Sequence, residues 1–184
     1  MDPYLLLKLV HVVGAILWVG GASIMTLLVL LLDRRGDDAA TMTGVSYVAL
    51  LGNRVFLPLS LLVILTGLGL AWLGGWGFAA WTVLATAVVV ATAALGGAVL
   101  GPTTERAVKV WRDEGDMAQA IALGRRVLRL VKVDLGGQFA IIALMVLKPG
   151  WTDPALLVPV AFLGCGVALG LMPGRARASA AQPA

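Results

Sequence analysis

Residues 4–32, YLLLKLVHVVGAILWVGGASIMTLLVLLL, decide the class of the whole chain. The run exceeds the roughly 20 apolar residues that cross a hydrocarbon core of about 30 Å. Yet it carries Lys8 and His11, the only histidine in the chain, where an apolar residue would cost less. His11, Trp18, Gly20 and Gly21 form the pattern H-x6-W-x-G-G. Positions i, i+4, i+7 and i+11 of a helix share one face, so His11, Ala15, Trp18 and Ala22 make a stripe bordered by Gly14 and Gly21. Small residues on such a stripe let a second helix, or a flat ligand, approach the backbone closely. Ionisable residues are expensive inside a span, and His11 is therefore the leading candidate for a site. The competing reading is a histidine hydrogen-bonded to a neighbouring helix.

The composition agrees with that first stretch. Of 184 residues, 60% are hydrophobic and 13% charged, against about a quarter charged in a soluble domain. The expected fold is all-α, a polytopic transmembrane helix bundle of five spans; four spans plus a peripheral helix is the alternative. Residues 1–172 form one domain, and the small, polar tail at 173–184 is expected to be disordered. No cleavable signal peptide is expected, because no basic region precedes the first run and the run is too long for one. With Cys165 alone there is no disulfide framework. The net charge of +4 would suggest nucleic acid for a soluble protein; in a membrane protein basic residues are first read for topology, and no nucleic-acid partner is expected.

Along the chain, a turn at 33–38 closes the first span, and residues 39–53 read as a connecting helix, with an interfacial segment or a downward extension of the next helix as the alternatives. The second span, 55–73, has Pro58 in its first turn, where a missing N–H is tolerated. The short uncharged turn Gly74-Gly75-Trp76-Gly77 predicts that the second and third spans pack as antiparallel neighbours. The third span runs over 78–100, with Gly97 and Gly101 at close-packing spacing. Residues 103–134 read as a helix leaving the membrane, a turn at 113–116, and a basic helix for an anionic membrane face. The apolar run 135–147 covers only about 20 Å, so Asp134 is drawn into the membrane edge with Gln138 one turn deeper. A fifth span covers 155–172, with Gly166 and Gly170 again at packing distance.

Twelve of the fourteen basic residues fall on one side of this threading and two, Lys8 and Lys148, on the other. The positive-inside rule then predicts an N-terminus outside and a cytoplasmic C-terminus, with the basic side in contact with anionic lipids. His11 lies in the outer half with Met145. Arg54 and Asp134 gather at the inner edge, where an ion pair of Asp134 with Arg54, or with a cation of the loop after the third span, is expected because a lone charge there is unfavourable.

No HExxH, CxxC or phosphate-binding glycine loop is present, and no catalytic residue is assigned. The segments LLKLVHVVGAILWVGGAS at 6–23 and FLPLSLLVILTGLGLA at 56–71, with the basic loop, resemble an uncharacterised family of bacterial integral membrane proteins, a domain of unknown function; that resemblance implies a bacterial inner membrane. The H-x6-W spacing is also similar to the first helix of CopD-type copper-resistance proteins and HemJ-type protoporphyrinogen oxidases. The second resemblance implies haem b on His11; by helix face and depth, Trp18 would stack beside it, and Met145 or the His11 of a second copy would be the further ligand. Two readings follow: a membrane scaffold or assembly partner, whose glycine stripes pack helices or the subunits of a homo-oligomer, or a haem-binding redox protein, with CopD-like copper handling as its variant.

Overall fold

The computed structural model describes residues 2–172; the tail expected to be disordered lies outside them. Five helices are long and apolar enough to span a membrane: α1 (Pro3–Arg35), α2 (Asp38–Leu73), α3 (Ala80–Glu114), α4 (Met117–Leu147) and α5 (Pro154–Leu171). The described residues contain no strand. Aspartates cap most of the starts: Asp2, Asp37, Asp116 and Asp153 each accept a backbone N–H from the first turn that follows. Gly36 (φ 83°) and Gly115 (φ 70°) end the preceding helices in the left-handed region. Each Gly-Asp pair, 36–37 and 115–116, is thus a complete helix stop and start.

The first four helices are much longer than their spans. At 31 to 36 residues they reach about 46 to 54 Å, against about 30 Å of hydrocarbon. The excess is collected at the basic pole. There Val29, Met42, Val45, Ala107, Val110, Ala120, Ile121 and Leu128 form the largest buried cluster, with Met42 and Ala107 fully shielded. Residues 39–53 are the first turns of α2, the downward extension kept as an alternative for them, and not a separate connecting helix; the short apolar run 135–147 is the end of one continuous helix that carries Asp134. The apolar face of the basic helix is spent on this four-helix core. Arg125 joins it to α1 through Asp33, Nε to Oδ1, at 3.0 Å.

The membrane halves pack in pairs. α2 lies along α1, while α4 holds α3 on one side and α5 on the other. The α4–α5 seam is a backbone contact, since a Cβ on Gly136 would stand 2.8 Å from the Gly166 Cα and 2.8 Å from the Phe162 carbonyl oxygen. α2 and α3, by contrast, barely touch within the membrane, although the turn joining them is short. Their expected pairing is not formed: positive φ at Gly75 (65°) and Gly77 (50°) opens the turn. At this aromatic pole Trp76 meets Trp81 edge to face at 5.5 Å, and Lys148 Nζ stands 4.4 Å from the first ring centroid. That clamp ties the start of α3 to the end of α4.

Candidate functional site

The stripe on α1 that singles out His11 faces α2. His11 Nδ1 is 3.0 Å from the Val63 carbonyl oxygen and 3.0 Å from Thr66 Oγ1. A carbonyl only accepts, so this contact assigns the ring proton to Nδ1 and leaves the Nε2 lone pair unused by it. The ring lies over Gly67, where a Cβ would come within 3.0 Å of Cε1. Gly14 opposes Val63 and Gly21 opposes Phe56 in the same seam. Trp18 is buried with Val19 and Val63. The close approach foreseen from the small residues is therefore used between two helices of one chain. Met145 is elsewhere: it packs on Trp81, Ala85 and Leu144 between α3 and α4.

The main recess lies deeper, towards the basic pole. It is a cavity of about 430 Å³ bounded by all four long helices, within the range of ordinary small-molecule sites. Trp18 reaches its wall from α1 and Phe56 from α2. Two wide π-helical turns, Gly52–Phe56 and Gly96–Leu100, face each other across it. Each precedes a proline, Pro58 or Pro102, and the wide turn replaces the ordinary ladder just where the missing N–H and ring clash would disrupt it. Gly52, Gly96 and Gly97 have open space where a Cβ would stand. The spacing of Gly97 and Gly101, expected to pack against a helix, clears this cavity instead.

Two polar side chains from α4 close it. Asp134 is 8% exposed and Gln138 2%. Gln138 Nε2 donates to Asp134 Oδ2 at 2.7 Å, and Gln138 Oε1 is buried without a partner. The structure does not bring Arg54 to Asp134: Arg54 is exposed, and the partner of Asp134 is the amide one turn along its own helix. At the rim, Asn53 Nδ2 donates to Glu105 Oε1 at 2.7 Å, bridging α2 and α3. Asp134 and Glu105 are ionisable residues of the lining, and among the described residues no lysine, arginine or histidine lines it. Asp134 and Gln138 share a face by their spacing, but the cavity before them was not foreseen. Its signal is the repeated spacing of a glycine six residues before a proline, Gly52 to Pro58 and Gly96 to Pro102.

Among the described residues no three His, Cys, Asp or Glu side chains gather in a way that could hold a metal ion. A family model described as a predicted integral membrane protein (DUF2269) matches residues 5–149, and the chain belongs to that family. The match covers all four cavity helices and ends before α5. No curated protein and no solved structure matches the chain.

Proposed function

We propose that this multi-pass membrane protein binds a small amphiphilic molecule in the cavity between its four long helices. Gln138 carries the reading. A buried acceptor without a partner costs about 1–3 kcal/mol, and it adjoins a nearly buried carboxylate in a recess open enough for a ligand. A scaffold role, or self-association along the glycine stripe, has less support, because Gly14, Gly21, Gly136 and Gly166 are already in contact within the chain. Gly97→Leu tests the ligand reading. A leucine there meets nothing within 4 Å at its Cβ, so it should fill the cavity while leaving thermal stability unchanged. Mass spectrometry of nanodisc preparations should find an amphiphile retained by the wild type and at least tenfold depleted in the variant. Equal retention would refute the proposal.

The proposed orientation puts the basic pole in the cytoplasm of a bacterial inner membrane, with the exposed Arg126 and Arg129 near anionic headgroups. Cysteine probes at Gly75 and Gly150 should be labelled from outside, and probes at Gly36 and Gly115 should not. The reverse pattern would invert the threading.

One observation favours a second reading, haem b on His11. Metal-ligating histidines commonly donate their other ring N–H to a backbone carbonyl, and His11 Nδ1 has that contact with Val63. Haem would supply one-electron chemistry at the α1–α2 seam. Trp18 and Met145 do not meet His11 round one centre, so a further ligand would come from another residue or a second copy. Haem-replete cells should then yield protein with a Soret band that His11→Ala abolishes. A colourless wild type under those conditions sinks this reading without touching the first.

A further inference from the structure

The polar inventory of the cavity narrows the class of its ligand. Most hydroxyl donors of the wall are already committed. Ser60 Oγ donates to the Leu57 carbonyl, Thr92 Oγ1 to Val89 and Thr104 Oγ1 to Leu100. Asn53 gives one amide proton to Glu105, and Gln138 gives one to Asp134. Beside the neutral donors left in the lining, the Thr26 hydroxyl, the Trp18 indole N–H and the second amide protons, the acceptors stand out: the Gln138 Oε1 and two carboxylates. Among the described residues no basic side chain of the lining balances those carboxylates. On α4 itself, Arg125 is paired with Asp33 and Lys132 Nζ reaches the Leu169 carbonyl oxygen on α5 at 3.4 Å. A carboxylate this far from water is either protonated or met by a charged, hydrogen-bonding counterpart, and a ligand ammonium is the counterpart that the described lining lacks.

We propose that the cavity takes a lipophilic amine, whose charged N–H groups bind Asp134 and Gln138 and whose apolar part lies against Trp18, Phe56 and Leu100. The Asp134 carboxylate is the anchor, and a turn of the Gln138 side chain brings Oε1 to the same nitrogen. The amine enters from the bilayer between α2 and α3, whose membrane halves leave a gap. A bare divalent ion is the weaker occupant. It would want at least six oxygens, and no group of three acidic or other ligating side chains gathers among the described residues. The inference rests on the reading that the cavity binds a ligand at all, and the test separates the two.

Four probes of equal chain length serve: octylamine, octyltrimethylammonium, octan-1-ol and octanoate. Their binding to wild-type protein in phosphatidylcholine nanodiscs is measured by calorimetry, with empty nanodiscs correcting for partition into lipid. Octylamine should bind at least tenfold more tightly than the other three. Asp134→Asn, which keeps the side-chain shape, should remove that preference, and Gln138→Leu should weaken octylamine several-fold. Should either variant fail to fold, the wild-type series alone decides. Equal binding of octyltrimethylammonium overturns recognition through N–H groups, and equal binding of octanol or octanoate overturns the amine class. In both cases cavity binding itself survives. No probe binding more tightly to the wild type than to Gly97→Leu removes the parent reading as well.

Discussion

Alanine at Gly166 should destabilise the protein, whereas alanine at Gly164, on the opposite side of α5, should leave it unchanged or slightly improved. Both changes gain about 1 kcal/mol of intrinsic helix preference. The difference is what the new methyl meets. At Gly164 nothing lies within 4 Å; at Gly166 the Cβ would stand 2.8 Å from the Lys132 carbonyl oxygen and 2.9 Å from the Gly136 Cα. Those are backbone atoms of α4, which cannot rotate away as a side chain can. The helices must separate, at a cost of about 1–3 kcal/mol or more for overpacking a close contact. Lipid supplies little hydrophobic drive for holding α5 on α4, so the seam depends on close backbone contact and on the stacked rings of Phe139 and Phe162, 5.8 Å apart. Thermal unfolding in detergent should show Gly166→Ala melting several degrees lower and Gly164→Ala not. Equal melting temperatures would mean that the helices are not in backbone contact.

The five spans were legible because long apolar runs leave few alternatives, and so were the turns at Gly36-Asp37 and Gly115-Asp116, because a left-handed glycine followed by a capping aspartate is a local device. Pairing was harder to read. A short turn between the second and third spans argued for neighbours, yet nothing in Gly74-Gly75-Trp76-Gly77 reports how far the two helices splay. His11 stood out by its cost, and the stripe of Gly14, Trp18 and Gly21 marked a packing face; which helix it meets depends on tertiary order. For Asp134 the need for a partner was legible, but a nearby arginine in the threading suggested Arg54, and the local amide of Gln138 took that place. The cavity stayed hidden because Gly97 and Gly101 carry the same spacing whether glycine admits a helix or leaves a space. The paired Gly52-Pro58 and Gly96-Pro102 spacings distinguish the two cases, since a wide turn before a proline is a poor surface for close packing.

The second large effect should come from the basic pole. Met42→Ala is expected to cost about 2–5 kcal/mol, the usual range for truncating a large buried side chain. Leu65→Ala, on the same helix but 67% exposed along the membrane half, should cost little, because lipid tails replace the lost contacts. The contrast follows from the medium. The helix ends that exceed the hydrocarbon carry acidic and basic residues together, including Asp33, Arg34, Arg35, Arg112, Asp113 and Glu114, and so stand in water. There, burying Met42 against Val29, Val45 and Leu128 gains the full hydrophobic term. A third variant checks the assignment from the other side. A Cβ on Gly124 would sit 3.7 Å from the Met42 sulfur and 3.5 Å from Val45 Cγ2, ordinary contact distances. Gly124→Ala should therefore be tolerated alone and should recover part of the loss in the Met42→Ala background by refilling the void. Chemical unfolding of the wild type, the three single variants and the Met42→Ala/Gly124→Ala double variant in one detergent gives the comparison. If Met42→Ala costs no more than Leu65→Ala, the basic pole is not a water-facing core, and the excess helix length must lie within the bilayer by tilt.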